Sequence, residues 1–157
     1  PFFGKKKNTS DLYSEMEIKL FLVLIQFSED ISWKEAELKR MLLFTRKYDS
    51  KKIKEQAEMS ILKELASIQE EKGDAQKELE YIEQALTLVK ESRTMRGLAE
   101  LHFKKAGLLK ELMQRNKDMQ QEYQKQCQVE LTMAYYTALV MNNVELVQKI
   151  KTTGDRV

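Results

Sequence analysis

Residues 61–82 constrain the fold more than any other stretch, because they combine two helical patterns with a sharp corner. Apolar residues recur at helical spacing at positions 61, 62, 65 and 68, and again at positions 75, 79, 82, 86 and 89. Between the two patterns stand Gly73, which suits the left-handed position that ends a helix, and Asp74, which suits an N-cap. Because the corner is so short, the chain must reverse its direction there. The sequence therefore predicts an antiparallel helical hairpin.

One hairpin cannot bury both faces of its helices, and Ala85 and Leu88 add apolar surface that needs a neighbour. Stacked hairpins or a bundle meet this need. The periodicity predicts about seven helices, at roughly residues 11–28, 33–48, 51–72, 74–92, 95–114, 117–141 and 144–151. We therefore expect an all-α protein of three hairpins and a capping helix. A single domain would span residues 11–151, between a basic N-terminal tail at 1–10 and a flexible tail at 152–157.

Two local features refine these helices. Ser32 and Glu35 have the spacing of a capping box, which predicts that the second helix begins just after Ser32. Gly97 and Gly107 lie inside the predicted fifth helix, where each costs roughly 1 kcal/mol relative to alanine. Close approach of a neighbouring helix or of a ligand would explain them.

The hairpin resembles a tetratricopeptide repeat, with Leu62, Leu65, Ala66, Gly73, Ile82 and Ala85 at matching positions. Gln69 and Glu78 depart from the pattern, which usually has an aromatic residue and an alanine there. A second resemblance is found in the segment at residues 99–106, Ala-Glu-Leu-His-Phe-Lys-Lys-Ala. It resembles repeats of the bacterial peptide-pheromone receptors of the Rap, Rgg and PlcR type. These resemblances imply a TPR-like α-solenoid with a peptide-binding concave face.

Composition bounds the class of protein. The chain has 157 residues, of which 33% are charged, and its net charge is +2. This near-balance of charge does not indicate the basic surface that nucleic-acid-binding proteins carry. The single Cys127 cannot form an intramolecular disulfide, which favours a reducing, cytoplasmic location. The longest apolar run, residues 20–25, is far shorter than the ~20 residues that cross a bilayer. The tail carries Phe2, Phe3 and three lysines at 5–7, which suit either an anionic membrane surface or a solvated terminus.

No motif for catalysis, metal binding or a cofactor is recognisable in the chain. His102 lies on the apolar stripe of its helix, so we interpret it as a core histidine, and an enzyme would require it to be exposed. Cys127 also lies on an apolar face, where a buried, inert thiol is expected. We therefore expect neither enzymatic activity nor a cofactor or metal.

Basic residues concentrate on the fifth helix and its flanks. Lys104 and Lys110 fall near concave positions of the repeat pattern, with Lys63 and Ser67 as counterparts one repeat earlier. An acidic peptide or a carboxylate terminus would suit this group, while Glu100 and Glu111 favour a solvated helix face. The leading hypothesis is a non-enzymatic protein- or peptide-binding module that acts as scaffold, adaptor or regulator. The alternatives are a helical bundle that self-assembles through its first or sixth helix, and the sensor fragment of a peptide-responsive regulator.

Overall fold

The computed structural model describes residues 15–47 and 51–154, and the side chains of all of these except 15, 52, 53 and 154. These ranges contain seven α-helices, one 3-10 turn at Lys117–Met119 and no strand, which confirms the all-α prediction. The predicted tail at 1–10, the start of the first helix and residues 155–157 lie outside them. The helices are α1 (Glu15–Ile25), α2 (Ile31–Thr45), α3 (Lys51–Lys72), α4 (Ala75–Ser92), α5 (Leu98–Arg115), α6 (Gln120–Val140) and α7 (Val144–Gly154).

The chain divides into two compact units, and the division falls inside α3, between Ile68 and Gln69. A single domain over 11–151 and the stacking of hairpins into a solenoid both stay predictions. None of the helices in the described ranges is both long enough and apolar enough to cross a membrane.

The first unit buries one face of each of its helices. The largest fully buried apolar side chains there come from α1, α2 and α3, and they are Phe21, Ile25, Leu38, Met41, Ile61, Leu62 and Leu65. Arg46, just beyond α2, donates to Glu58 of α3 at 3.0 Å. The other side of α1 stays exposed and is also apolar, with Met16, Leu20 and Val23, and the exposed Phe27 follows just beyond the end of the helix.

The second unit is built around α5, which packs against both α4 and α6, while α7 closes on α6 and α5. One stripe of each helix forms the core of this unit. The stripes consist of Leu79, Ile82, Leu86 and Val89 of α4, Ala99, His102, Ala106 and Leu109 of α5, Cys127, Leu131, Ala134 and Ala138 of α6, and Val147 and Ile150 of α7. Each stripe repeats every three or four residues, so one face of each helix can be buried.

The corner at Gly73 and Asp74 forms as the sequence predicts. Gly73 has φ +68°, and the Asp74 carboxylate accepts a hydrogen bond from the Lys77 amide at 3.1 Å. Asn142 likewise adopts a left-handed conformation after α6, and Asn143 caps α7 by accepting from the Leu146 amide at 3.1 Å.

Two predicted helix starts are wrong. Asp30 is the N-cap of α2, because its carboxylate accepts from the Trp33 amide at 2.9 Å, and Ser32 lies inside the helix. An ionised carboxylate caps as well as a hydroxyl and also interacts favourably with the helix dipole, so the helix begins two residues earlier. Gly97 precedes α5 as its left-handed N-cap, φ +77°, and therefore does not weaken the helix interior.

The cap assignment makes a direct prediction. Asp30→Ala should lower the free energy of unfolding by about 1 kcal/mol, because the Trp33 amide loses its acceptor. Urea unfolding followed by the fluorescence of Trp33, the chain's single tryptophan, measures this change. Ser32→Ala is the matched control and should leave stability nearly unchanged; an equal loss in both variants would contradict the assignment.

Candidate functional site

A cleft of about 460 Å³ opens beside α5 in the second unit. This volume is within the roughly 300–1,000 Å³ range of small-ligand sites. Its apolar lining comes mainly from α5 and α6, and its rim carries charged side chains. The apolar lining comprises Ala75, Phe103, Ala106, Leu108, Cys127 and Leu131. The rim comprises Glu70, Lys104, Lys110 and Glu111, and the buried Glu78 also lines the cleft.

Lys104 reaches the cleft as part of an internal ion-pair group. Its ammonium donates to Glu70 and Glu78, each at 3.0 Å. Partial burial alone would lower the pKa of Lys104, but the two carboxylates outweigh it and hold that pKa above its ordinary value. Burial raises the pKa of Glu78, whose side chain is 4% exposed, by more than the bond to Lys104 lowers it. The charge of Lys104 is therefore largely balanced within the protein.

Lys110 differs from Lys104, although both line the same cleft. Within the part of the chain that the structure describes, Lys110 forms neither a hydrogen bond nor an ion pair. Its neighbour Glu111 is paired with Arg115, which also donates to the Gly73 carbonyl at 3.2 Å. The rim therefore offers the ammonium of Lys110 to an incoming anion.

Gly107 lies between these lysines in the middle of α5 and is exposed at the cleft. A Cβ added there would meet no atom within 4 Å. The predicted explanation by close approach of a neighbouring helix is thus wrong. The open space above this glycine leaves room for a ligand.

A second group of charges, which we call the α5–α6 cluster, contains His102, Lys105, Glu130 and Glu83. Glu130 accepts from His102 Nδ1 and, at 3.1 Å, from Lys105, which also donates to Glu83 at 3.0 Å. Burial by itself would raise the pKa of Glu130, but the bonds from His102 and Lys105 outweigh it and lower that pKa. The two carboxylates in turn raise the pKa of Lys105 against the effect of its burial.

His102 and Cys127 are both enclosed. His102 is 3% exposed, and its Nε2 has no hydrogen-bond partner among the described residues. Cys127 is buried with Sγ 3.4 Å from the Ala106 carbonyl, and burial raises the pKa of its thiol. Within the described ranges no group of three or more acidic, histidine or cysteine side chains is arranged to hold a metal.

Of the four predicted binding residues, the structure brings together Lys104 and Lys110. Lys63 and Ser67 are exposed on the part of α3 that belongs to the first unit, and their shared role with the lysines of α5 stays a prediction. Sequence reasoning missed the carboxylates Glu78 and Glu130. Both lie on buried stripes, three residues after Ala75 and Cys127 respectively, and an acid on such a stripe signals a buried ion pair.

Comparisons of the chain with protein-family models, curated proteins and solved structures find no match.

The two glycines of the cleft predict opposite effects on stability. Gly107→Ala should raise the free energy of unfolding by up to about 1 kcal/mol, because alanine is the better helix former and its methyl group meets no neighbour. Gly73→Ala, the matched comparison, should destabilise by about 1 kcal/mol because of its left-handed backbone. Urea unfolding followed by circular dichroism tests both changes, and a loss of stability in Gly107→Ala would contradict the open space described here.

The α5–α6 cluster predicts a pH dependence. The folded-state pKa of Glu130 is below its ordinary value of 4.5, so the ionised carboxylate stabilises the fold above that pH and loses this effect as pH falls through the lowered pKa. Glu130→Gln should cost about 1–3 kcal/mol at pH 7, because buried donors lose a charged acceptor. The difference from wild type should shrink below about pH 4.5.

Glu83→Gln is the control, since Glu83 is 50% exposed and should contribute less than about 1 kcal/mol at any pH. Burial raises the pKa of Glu78, so the titration of Glu78 has the opposite effect on stability from that of Glu130. It stabilises the fold as pH falls toward 4.5. Unfolding free energies of all three proteins between pH 3 and 8 separate these effects. A Glu130→Gln deficit that does not change with pH would contradict the assignment.

Proposed function

We propose that this protein is a non-enzymatic binding module whose second unit accommodates a segment of a peptide or protein in the cleft beside α5. The observation that carries the proposal is the combination of an apolar lining with one rim ammonium, Lys110, that has no partner among the described residues. Apolar walls with a few oriented polar groups are typical of binding sites.

The polarity of the cleft indicates how a segment would lie. Lys104 brings two carboxylates to its end of the cleft, which leaves an excess of negative charge there, whereas Lys110 presents positive charge. Six residues of helix separate the lysines by about 9 Å along the axis. About three residues of an extended chain cover this distance. The segment would place a carboxylate at Lys110 and an apolar side chain over Gly107.

The wider hypothesis, a TPR-like repeat protein acting as scaffold, adaptor or regulator in the cytoplasm, belongs to the same proposal. It is supported by the corner at Gly73 and Asp74 and by the buried hairpin residues Leu62, Leu65, Ala66, Ile82 and Ala85. The buried, unpaired thiol of Cys127 is consistent with a reducing compartment.

The proposal predicts that Lys110→Glu abolishes capture of carboxylate-bearing peptides without unfolding the protein. We would mix purified protein with a library of short random peptides, separate the protein by size exclusion and identify retained peptides by mass spectrometry. The wild type should retain peptides with an apolar residue near a terminal or side-chain carboxylate. Gly107→Trp should also abolish retention, because the indole would fill the cleft.

Lys125→Glu changes the net charge equally at an exposed position of α6 outside the cleft, and it should bind as the wild type does. Lys104→Glu is a poor test, because it would add a third carboxylate beside the buried Glu78 and destabilise the fold. Equal retention by Lys110→Glu and the wild type, or no retention by the wild type, would contradict the proposal.

A further inference from the structure

The outer face of α6 carries an exposed apolar row formed by Val129, Met133, Tyr136 and Val140, which we call the α6 outer row. These four side chains are between 45% and 70% exposed. The opposite face of α6 is buried against α5 and α7 and is also largely apolar. A helix that is apolar on both sides is normally covered on both sides.

The α6 outer row is also free of charge. Between residues 128 and 144 the single charged residue is Glu130, which points inward to His102 and Lys105. The exposed side chains that flank the row, Thr132 and Leu139, are uncharged. Exposed apolar groups that lie together mark interaction surfaces. An uncharged row also brings no like charges together when it meets a copy of itself.

The spacing of the row is symmetric, four residues, then three, then four, with a valine at each end. This is the alternation of d and a positions in a coiled coil. A two-fold axis between residues 134 and 135 would pair two such helices antiparallel. Val129 would then meet Val140 of a second copy, and Met133 would meet Tyr136, a favourable contact of sulfur with an aromatic ring.

We propose that the α6 outer row is the interface of a homodimer in which two copies of α6 pack antiparallel about this axis. A two-fold interface must be complementary to itself, and the symmetric spacing and absence of charge meet this condition. The dimer does not depend on the cleft, because Cys127 and Leu131 line the cleft from the buried face of α6.

The size of the row sets the strength of association. Twelve residues of helix are about 18 Å long. A helix pair of this length buries less than the roughly 800 Å² per partner of a standard interface, so a weak, reversible dimer is expected. Its dissociation constant should be on the order of 10–100 µM.

Sedimentation velocity from micromolar to submillimolar concentration tests this interface with the full chain. The wild type should shift from monomer to dimer across this range. Met133→Lys and Tyr136→Glu should each weaken association at least about tenfold, because a charge would be buried opposite an apolar side chain. The double variant should recover it, since the introduced ammonium of one copy then faces the introduced carboxylate of the other.

Met119→Lys is the control, since Met119 is an exposed methionine of the second unit outside the row, and it should dimerise as the wild type does. Circular dichroism and urea unfolding check that each variant is folded. If a charged variant unfolds, Val140→Thr, which is nearly isosteric, should still weaken the dimer. A monomeric wild type throughout the range, unchanged dimerisation in the folded single variants, or a double variant no better than either single would each overturn the proposal.

Discussion

The second unit depends on two adjacent lysines of its central helix, each of which binds two carboxylates. Neighbouring residues on a helix point about 100° apart, so Lys104 meets Glu70 and Glu78, whereas Lys105 meets Glu83 and Glu130. The partners come from the end of α3, from α4 and from α6, so these bonds tie α5 to its neighbours. Burying a charge is unfavourable unless it is paired, and two carboxylates for each ammonium offset the loss of hydration.

The same bonds shape the cleft. Because Lys104 is balanced by Glu70 and the buried Glu78, its ammonium contributes structure rather than an open charge. Lys110 lies less than two helical turns further along, beside no described carboxylate within ion-pair distance, and Gly107 leaves open space between the two lysines. The two ends of the cleft therefore differ in charge, because one lysine is paired with carboxylates and the other has no partner among the described residues. In the proposed binding function, this asymmetry would favour a ligand with a carboxylate at one defined position.

The exposed apolar side chains of α6 are not explained by packing within the protein. Hydrophobic burial accounts for one face of each helix, but α6 has no charged residue on either face of its C-terminal half except the inward Glu130. Propensity and intramolecular packing do not require Val129, Met133, Tyr136 and Val140 to be apolar, since solvent reaches all four. The proposed contact between two copies of α6 would supply a reason for them, and it would leave the cleft on the other face of α6 accessible.

The sequence by itself determined the local structure. Apolar periodicity predicted the seven helices, and glycine and aspartate marked the corner at Gly73 and Asp74, because these features depend on residues a few positions apart. It misplaced the start of α2, since Asp30 and Ser32 are both competent caps and only the structure selects one. Only the tertiary structure decided which charges meet: Lys104 with Glu70 and Glu78, and His102 with Glu130. Those pairs join residues 26 to 34 positions apart, and no local sequence pattern indicates contacts at that separation. The sequence alone therefore could not show that Lys104 is paired with carboxylates whereas Lys110 is not.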